Sequence, residues 1–181
     1  MTSCIIENGM VTLDGEVFFA EKETSFADFS KKALKIFCVD YPKFFKIDKL
    51  SKLAFLASEL ILRHYSQEEK NKIALLFANK SASLDIDLKH QHSISDKENY
   101  YPSPAVFVYT LPNICLGEIS IYHQMKTENA FFVFDNYPHN FFENYSKILL
   151  KNHATDRVLC GWVEFLNNNY KADLRLIQNE N

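Results

Sequence analysis

The chain switches repeatedly between short apolar runs and longer stretches that carry one apolar face. Over residues 3–20 the runs Cys4-Ile5-Ile6, Val11-Thr12-Leu13 and Val17-Phe18-Phe19 are divided by polar residues, with Asp14-Gly15 between the last two. An Asp-Gly pair between apolar runs is a hairpin signal, because both residues tolerate positive φ, so strands are expected here. Ser25 is placed to cap a helix whose Phe26, Phe29, Ala33, Ile36 and Phe37 share one side. From about Asp48 to His64, Leu50, Leu53, Ala54, Ala57, Leu60 and Ile61 keep the same period and predict a second helix. Residues 73–78, Ile-Ala-Leu-Leu-Phe-Ala, have the form of a strand buried on both faces of an α/β sheet.

Residues 83–97 are helix-compatible and polar, whereas 100–112 hold Pro102, Pro104 and Pro112 and are expected to run extended until Pro112 opens a helix toward Gln124. Residues 130–134, Ala-Phe-Phe-Val-Phe, predict a second buried strand, and Asn140 with Glu143 a capping-box start for a helix through Leu150. Val158 to Val163 supplies a further strand. Tyr170, Ala172, Leu174 and Leu176 alternate with Lys171, Asp173 and Arg175, the pattern of a half-exposed final strand. Strands interleaved with helices predict an α/β fold with an antiparallel final ladder, organised as a single domain over 1–181 with no linker or repeat.

Composition narrows the function. A chain of 181 residues that is 47% hydrophobic can build a core, and its net charge of −3 lacks the basic footprint of a nucleic-acid binder. No apolar run approaches the roughly 18 residues of a membrane span. The start, Met1-Thr2-Ser3-Cys4, has no basic region before an apolar stretch, so a cytoplasmic protein without membrane contact is expected. Gly9, Gly15, Gly117 and Gly161 are the only glycines, too few for a phosphate-binding loop, and no cofactor is expected. Aromatic residues make up 14%, more than the interior needs, so some are expected to face a partner.

Candidate chemistry is sparse. Asp85, Asp87, His90 and His92 have the composition of a ligand set, but on a helix Asp85 and His92 share one face while Asp87 and His90 share another. A solvated helix face is expected, and no metal site. The four cysteines, at 4, 38, 115 and 160, form no Cys-x-x-Cys pair and sit in apolar or strand-like surroundings, so they are expected to be reduced core thiols. Apolar flanks raise a thiol pKa, which argues against Cys115 or Cys160 as a nucleophile. Between positions 31 and 52 stand seven lysines against Asp40 and Asp48, a basic segment able to receive an acidic partner; Lys43, Lys46 and Lys49 are the candidate contacts for a carrier protein.

The stretch 102–121, PSPAVFVYTLPNICLGEISI, followed by Glu128-Asn129-Ala130 and an apolar strand, resembles the N-terminal half of β-ketoacyl-ACP synthases in the thiolase superfamily. Asn79-Lys-Ser-Ala-Ser83 and Leu159-Cys-Gly-Trp-Val163 stand where that half has a loop after a central strand and a further glycine-bearing strand. The likeness covers most of 48–165 and is similar to a truncated group of bacterial proteins labelled 3-oxoacyl-ACP synthase. It implies a thiolase-like half-fold, a mixed, mostly parallel five-stranded sheet with helices on both faces.

The resemblance places Asp135 where the acyl-accepting cysteine of those enzymes stands, and the chain ends before the second half that supplies their histidines. An acylated aspartate is a mixed anhydride, far less stable than a thioester, so no catalytic residue carries over. The function implied is a noncatalytic accessory or scaffold protein, a pseudoenzyme of a bacterial fatty-acid or polyketide-type pathway, aryl-polyene synthesis among them. The alternative is an acyl-thioester-handling enzyme of the same superfamily that uses Cys115. The resemblance further implies a dimer through the strand Asn129, Ala130, Phe131, Phe132, Val133, Phe134, either with a second copy or with a ketosynthase, and an acyl carrier protein as a further partner.

Overall fold

The computed structural model describes residues 2–98, 100–151 and 155–178. Three strands open the chain, β1 (Ser3–Glu7), β2 (Met10–Leu13) and β3 (Glu16–Ala20), followed by helix α1 (Phe26–Ile36), a 3-10 turn (Pro42–Phe45) and helix α2 (Lys49–Leu62). After the one-turn α3 (Gln67–Lys70) come β4 (Ile73–Asn79), α4 (Leu84–Ile94), α5 (Pro104–Val108), α6 (Ile114–Tyr122) and β5 (Asn129–Val133). Helix α7 (His139–Lys151) and the hairpin of β6 (Arg157–Leu166) and β7 (Asn169–Gln178) complete the set.

The strands form one sheet in the order β3-β2-β1-β7-β6-β4-β5. The α/β half-fold with helices on both faces is as expected, but the sheet has seven strands rather than five, and four of its six ladders are antiparallel. The cause is local. Asn8-Gly9, Asp14-Gly15 and Asn167-Asn168 each place two successive residues at positive φ, the geometry of two-residue hairpin turns, and a hairpin can only return its strand antiparallel. Parallel pairing is confined to β4 with β5 and β4 with β6, where helices make the crossovers.

β4 is buried along its whole length. Its Ile73, Leu75 and Phe77 face the larger core with α1, α2 and α6, while Ala74, Leu76 and Ala78 face α7. Helix α2 is apolar on nearly all sides, so it lies inside, against β7, β1 and β6 and beside α6. Ser25 and Asp48 cap α1 and α2 as their sequence positions predict, accepting from Asp28 N and from Leu50 N and Ser51 N.

Four local readings change. Residues 100–112 do not run extended throughout: Ser103 accepts from Val106 N and Pro104, with its φ already set for a helix, opens α5. β5 is a half-buried edge strand, since α7 and α6 cover its two faces without closing its side. α7 opens at His139, so Asn140 lies within the helix instead of capping it. Cys38 is exposed, in a left-handed turn (φ 56°) just after α1, while the other three cysteines are buried. Much of the aromatic excess is absorbed internally, in stacks such as Phe26, Phe29, Phe165 and Tyr170 on one face and Phe132, Phe134, Phe141 and Tyr145 on the other.

Candidate functional site

In an open sheet with parallel strands, ligands collect beyond the carboxyl ends of those strands. Here that is where β4, β5 and β6 hand over to their loops. The buried Asn79 closes the turn after β4, its Oδ1 accepting from Ala82 N (2.8 Å) and its Nδ2 donating to Ala82 O (2.9 Å), with Ala82 at positive φ. Glu164 of β6 holds the same turn from the other side, its Oε2 accepting from Lys80 N (2.8 Å) and Ser81 N (3.2 Å). Phe134 N donates to Asn79 O (2.9 Å) and extends the ladder one residue past β5.

Asp135 follows, exposed, in a bend. It does not stand on the first turn of α7, because Asn136, Tyr137 and Pro138 intervene and Phe142 N takes Pro138 O as its partner. Its carboxylate is therefore not held by the first turn of α7. β4 lies between β5 and β6, so the Lys80-Ser81 turn separates Asp135 from Glu164. On the Glu164 side opens a cleft of about 480 Å³, lined by Glu7, Lys80, Trp162, Glu164 and Lys171 among others. Tyr137 stacks near Trp162 and under Arg175, and burial, with Asp173 adding to it, pushes its phenol up to about 12.

Cys115 lies in the larger core on α6 and is 1% exposed. Burial pushes its thiol well above the ordinary thiol range, with Asp48 adding to the effect. A thiol in that state has neither the ionisation nor the access of a nucleophile. Cys160 is similar, pushed up to about 12 by burial. The four candidate metal ligands are not brought together. Asp85 pairs with Lys49 (3.6 Å), Asp87 accepts from Ser83 Oγ (3.1 Å), His90 lies against Phe107, and His92 is exposed. Among the described residues no group of three His, Cys, Asp or Glu side chains is placed to hold a metal.

The lysine-rich segment acquires a shape that sequence did not show. Lys43 is drawn to the buried Glu118 (2.8 Å), and Lys49 lies over the Phe165 ring, near Asp85 and Asn168. Lys46 is exposed, and neither it nor Lys35 makes an ion pair among the described residues. Partial burial lowers the Lys52 ammonium; Asp48 opposes this, and the charges of Lys31, Lys89 and Lys49 add to the lowering. Lysines from α1, α2 and α4 therefore share one region. Beside them a cleft of about 470 Å³ is walled by Lys31, Lys35, Val39, Tyr41 and Phe45, with Phe45 57% exposed.

β5 forms the end of the sheet and, among the described residues, pairs with β4 alone. Leu75 N donates to Glu128 O (3.0 Å) and Phe134 N to Asn79 O, so even-numbered residues address β4. Residues alternate between the two sides of a parallel strand, and the N–H and C=O groups of Asn129, Phe131 and Val133 therefore address the open side. Phe132 itself packs beneath α7, on Phe141 and Tyr145.

Glu118 is the residue that sequence reasoning missed. It is 4% exposed and accepts from Tyr41 Oη (2.9 Å), Tyr109 Oη (3.1 Å) and Lys43 Nζ. A lone charge in the otherwise apolar run of residues 114–122 was the available signal. None of the described helices is long and apolar enough to cross a membrane.

No protein-family model and no curated protein matches the chain. Solved structures do. The chain superposes on one chain of the complex of the ketosynthase ApeO with its chain length factor ApeC from Xenorhabdus doucetiae, with TM-score 0.69, 13% identity and coverage of 99% of this chain and 78% of that one. It matches the ishigamide ketosynthase/chain length factor with TM-score 0.70 and 14% identity, over 98% of this chain and 61% of that one. A third match is the type II polyketide synthase complex AntDE:AntF, an acyl carrier protein with its ketosynthase bound to the hexaketide (TM-score 0.56, 15% identity, 98% and 64%). The chain thus spans less than two thirds of the second and third of these. The fold is the thiolase-like fold of ketosynthases and chain length factors.

Proposed function

We propose that this chain is a noncatalytic, ketosynthase-like accessory or scaffold subunit of a polyketide-type or fatty-acid pathway, aryl-polyene synthesis being one, acting in the cytoplasm as a single domain over 1–181. The observation that carries this reading is Asp135 at the hand-over from β5 to α7, the position the family likeness assigns to the acyl-accepting cysteine. A carboxylate there cannot hold an acyl group as a thioester, and Cys115 is too deeply buried to replace it. The fold neighbours support the pathway class: one is a ketosynthase with its chain length factor, another a ketosynthase with its acyl carrier protein. The open edge of β5 is where a ketosynthase or a second copy would join.

The test is incubation of the purified protein with an acyl-phosphopantetheine-loaded carrier protein and intact-mass detection. The expected result is no acyl adduct and no condensation. An adduct lost in Cys115→Ala overturns the reading in favour of the thioester-handling enzyme.

The carrier protein itself would dock on the lysine surface around Lys43, Lys46 and Lys49, with the Lys35 and Phe45 cleft beside it. Because Lys43 is engaged by Glu118, Lys35→Glu with Lys46→Glu is the sharper variant. Carrier affinity should fall at least tenfold in that variant, and steeply with salt, since the Debye length shrinks from about 10 Å at 0.1 M to about 3 Å at 1 M. Equal affinity for wild type and variant would remove the docking assignment.

A further inference from the structure

The side chains lining the cleft beside Glu164 fall into two groups, those that the chain itself satisfies and those that it does not. The cleft lies beyond the stretch of β6 covered by α7: Val158, Cys160 and Trp162 pack with that helix, whereas Leu166, farther along the same face, does not. Strand register sets Glu164 of β6, Lys171 of β7 and Glu7 of β1 in one row across three strands. Lys171 thus stands between two carboxylates, and it takes Glu7 (3.3 Å). Tyr170 is engaged as well, its Oη accepting from Gly9 N (2.8 Å).

What remains is one anion, one cation and a set of neutral groups. Glu164 Oε1 is buried and has no donor among the described residues, while Oε2 is held by Lys80 N and Ser81 N. A buried carboxylate oxygen without a donor is costly, and native structures hold few of them. Lys80 commits its backbone N–H to Glu164, but its exposed side chain forms no ion pair among the described residues. The rim adds the exposed amides of Asn8, Asn167 and Asn169, the first two fixed at positive φ in hairpin turns. Trp162, two residues before Glu164 on the same face and half-buried, supplies an aromatic surface on which an ammonium group or a carbon stem can lie.

A cation alone would satisfy Glu164 and be opposed by Lys80, and an anion alone would do the reverse. A ligand that carries both charges answers both, and it matches the balance of the lining, Glu7 and Glu164 against Lys80 and Lys171. The volume of about 480 Å³ falls within the range of about 300–1,000 Å³ that holds small molecules. We propose that this cleft binds a small zwitterion of the amino-acid type. Its ammonium pairs with the Glu164 carboxylate, its carboxylate meets Lys80 and the rim amides, and its carbon stem lies against Trp162 and Leu166. The site stands at the carboxyl ends of β4 and β6 and uses neither Asp135 nor any cysteine, so it is independent of the accessory role proposed above.

Trp162 is the only tryptophan of the chain, so its emission reports on this cleft alone. Titration of the full chain with L-leucine, whose charges flank one carbon, and with ε-aminocaproate, whose charges lie at opposite ends, covers both spacings. Hexylamine and hexanoate carry one charge each. One of the two zwitterions should shift the emission saturably and bind at least tenfold more tightly than either single-charge compound. Glu164→Gln keeps an oxygen for Lys80 N and Ser81 N and puts a donor in place of the other, and Lys80→Met keeps the N–H while removing the ammonium. Each should weaken binding at least tenfold, whereas Lys147→Met on the exposed side of α7 should not. Lys80→Met decides the matter should Glu164→Gln fail to fold. Saturation-transfer NMR on the same samples detects a ligand that leaves the emission unchanged. Binding of neither zwitterion in either measurement would overturn the proposal, as would equal affinity for hexylamine or hexanoate, or an affinity that survives both substitutions.

Discussion

Replacing Glu118 by alanine removes the one anion on which α6, the 3-10 turn and the segment after α5 converge. Two phenol hydrogen bonds to the carboxylate are lost, and bonds to a charged group contribute about 1.5–3 kcal/mol each. Tyr41 and Tyr109 are half-buried and regain some water, so together they account for about 3 kcal/mol. Lys43 is largely solvated and adds no more than about 1 kcal/mol. The one buried methylene lost, Cγ, contributes about 0.8 kcal/mol. The sum is about 4–5 kcal/mol, which for a chain of this size lowers Tm by about 10–15 °C.

Urea or thermal unfolding followed by circular dichroism measures the loss. Glu118→Gln, which keeps the shape but offers an N–H where a second acceptor was, should lose about half as much. The alkaline limb supplies an independent readout. Burial first, then Glu118 through its hydrogen bond and charge, raises both phenols above their ordinary range. The fold therefore favours the protonated phenols: the stability they contribute is complete below about pH 10, the unfolded value, and is lost as pH rises beyond it. Glu118→Ala should make that decline shallower. A loss below about 1 kcal/mol, with an unchanged alkaline limb, would refute the claim that this carboxylate organises the helix.

Gly161→Ala should cost about 3–5 kcal/mol in urea titration, because φ at 161 is +155° and the new Cβ would collide with the carbonyl oxygen of Asp173. A cost within experimental error would mean that the β6–β7 ladder relaxes freely. In thiol labelling of native protein, Cys38 should react at once, and Cys4, Cys115 and Cys160 only on unfolding. Rapid native labelling of Cys115 would reopen the thioester chemistry assigned to it.

The periodic helices and the apolar strands were legible in the sequence because their period reflects a local rule, one face in and one face out. α1 and β7 follow it, whereas α2 and β4 stood out as segments apolar on nearly all sides; the caps of α1 and α2 and the β2–β3 turn lie where Ser25, Asp48 and Asp14-Gly15 place them. Sheet composition was less legible. Nothing local to residues 3–20 states that β1 pairs with β7, so a meander adding three antiparallel strands to a parallel centre emerges only from tertiary contact. The hairpin at Asn167-Asn168 had a turn signal in its two asparagines, but the apolar flanks were the louder feature. Likewise the lysines of 31–52 were visible as a run, while Lys89 joins them only because the start of α4 lies near the start of α2, where Asp85 pairs with Lys49.

The places where local rules fail point the other way, toward function. A sequence selected only to fold would keep Glu118 in water and would have no reason to hold a glycine at 117, since both choices work against an isolated helix. Inside the chain Glu118 is compensated by two tyrosines and a lysine, whereas among the described residues no other element packs on Gly117, and Ile121 is left exposed. The same contrast holds at the strand ends. Asn79 and Glu164 spend their side chains on closing the turn after β4, whereas Asp135 is exposed and makes no side-chain hydrogen bond or ion pair among the described residues. The residues that the fold does not account for thus lie on surfaces, Asp135 beyond the strand ends and Gly117 and Ile121 on the outer side of α6, where folding alone gives no reason for them.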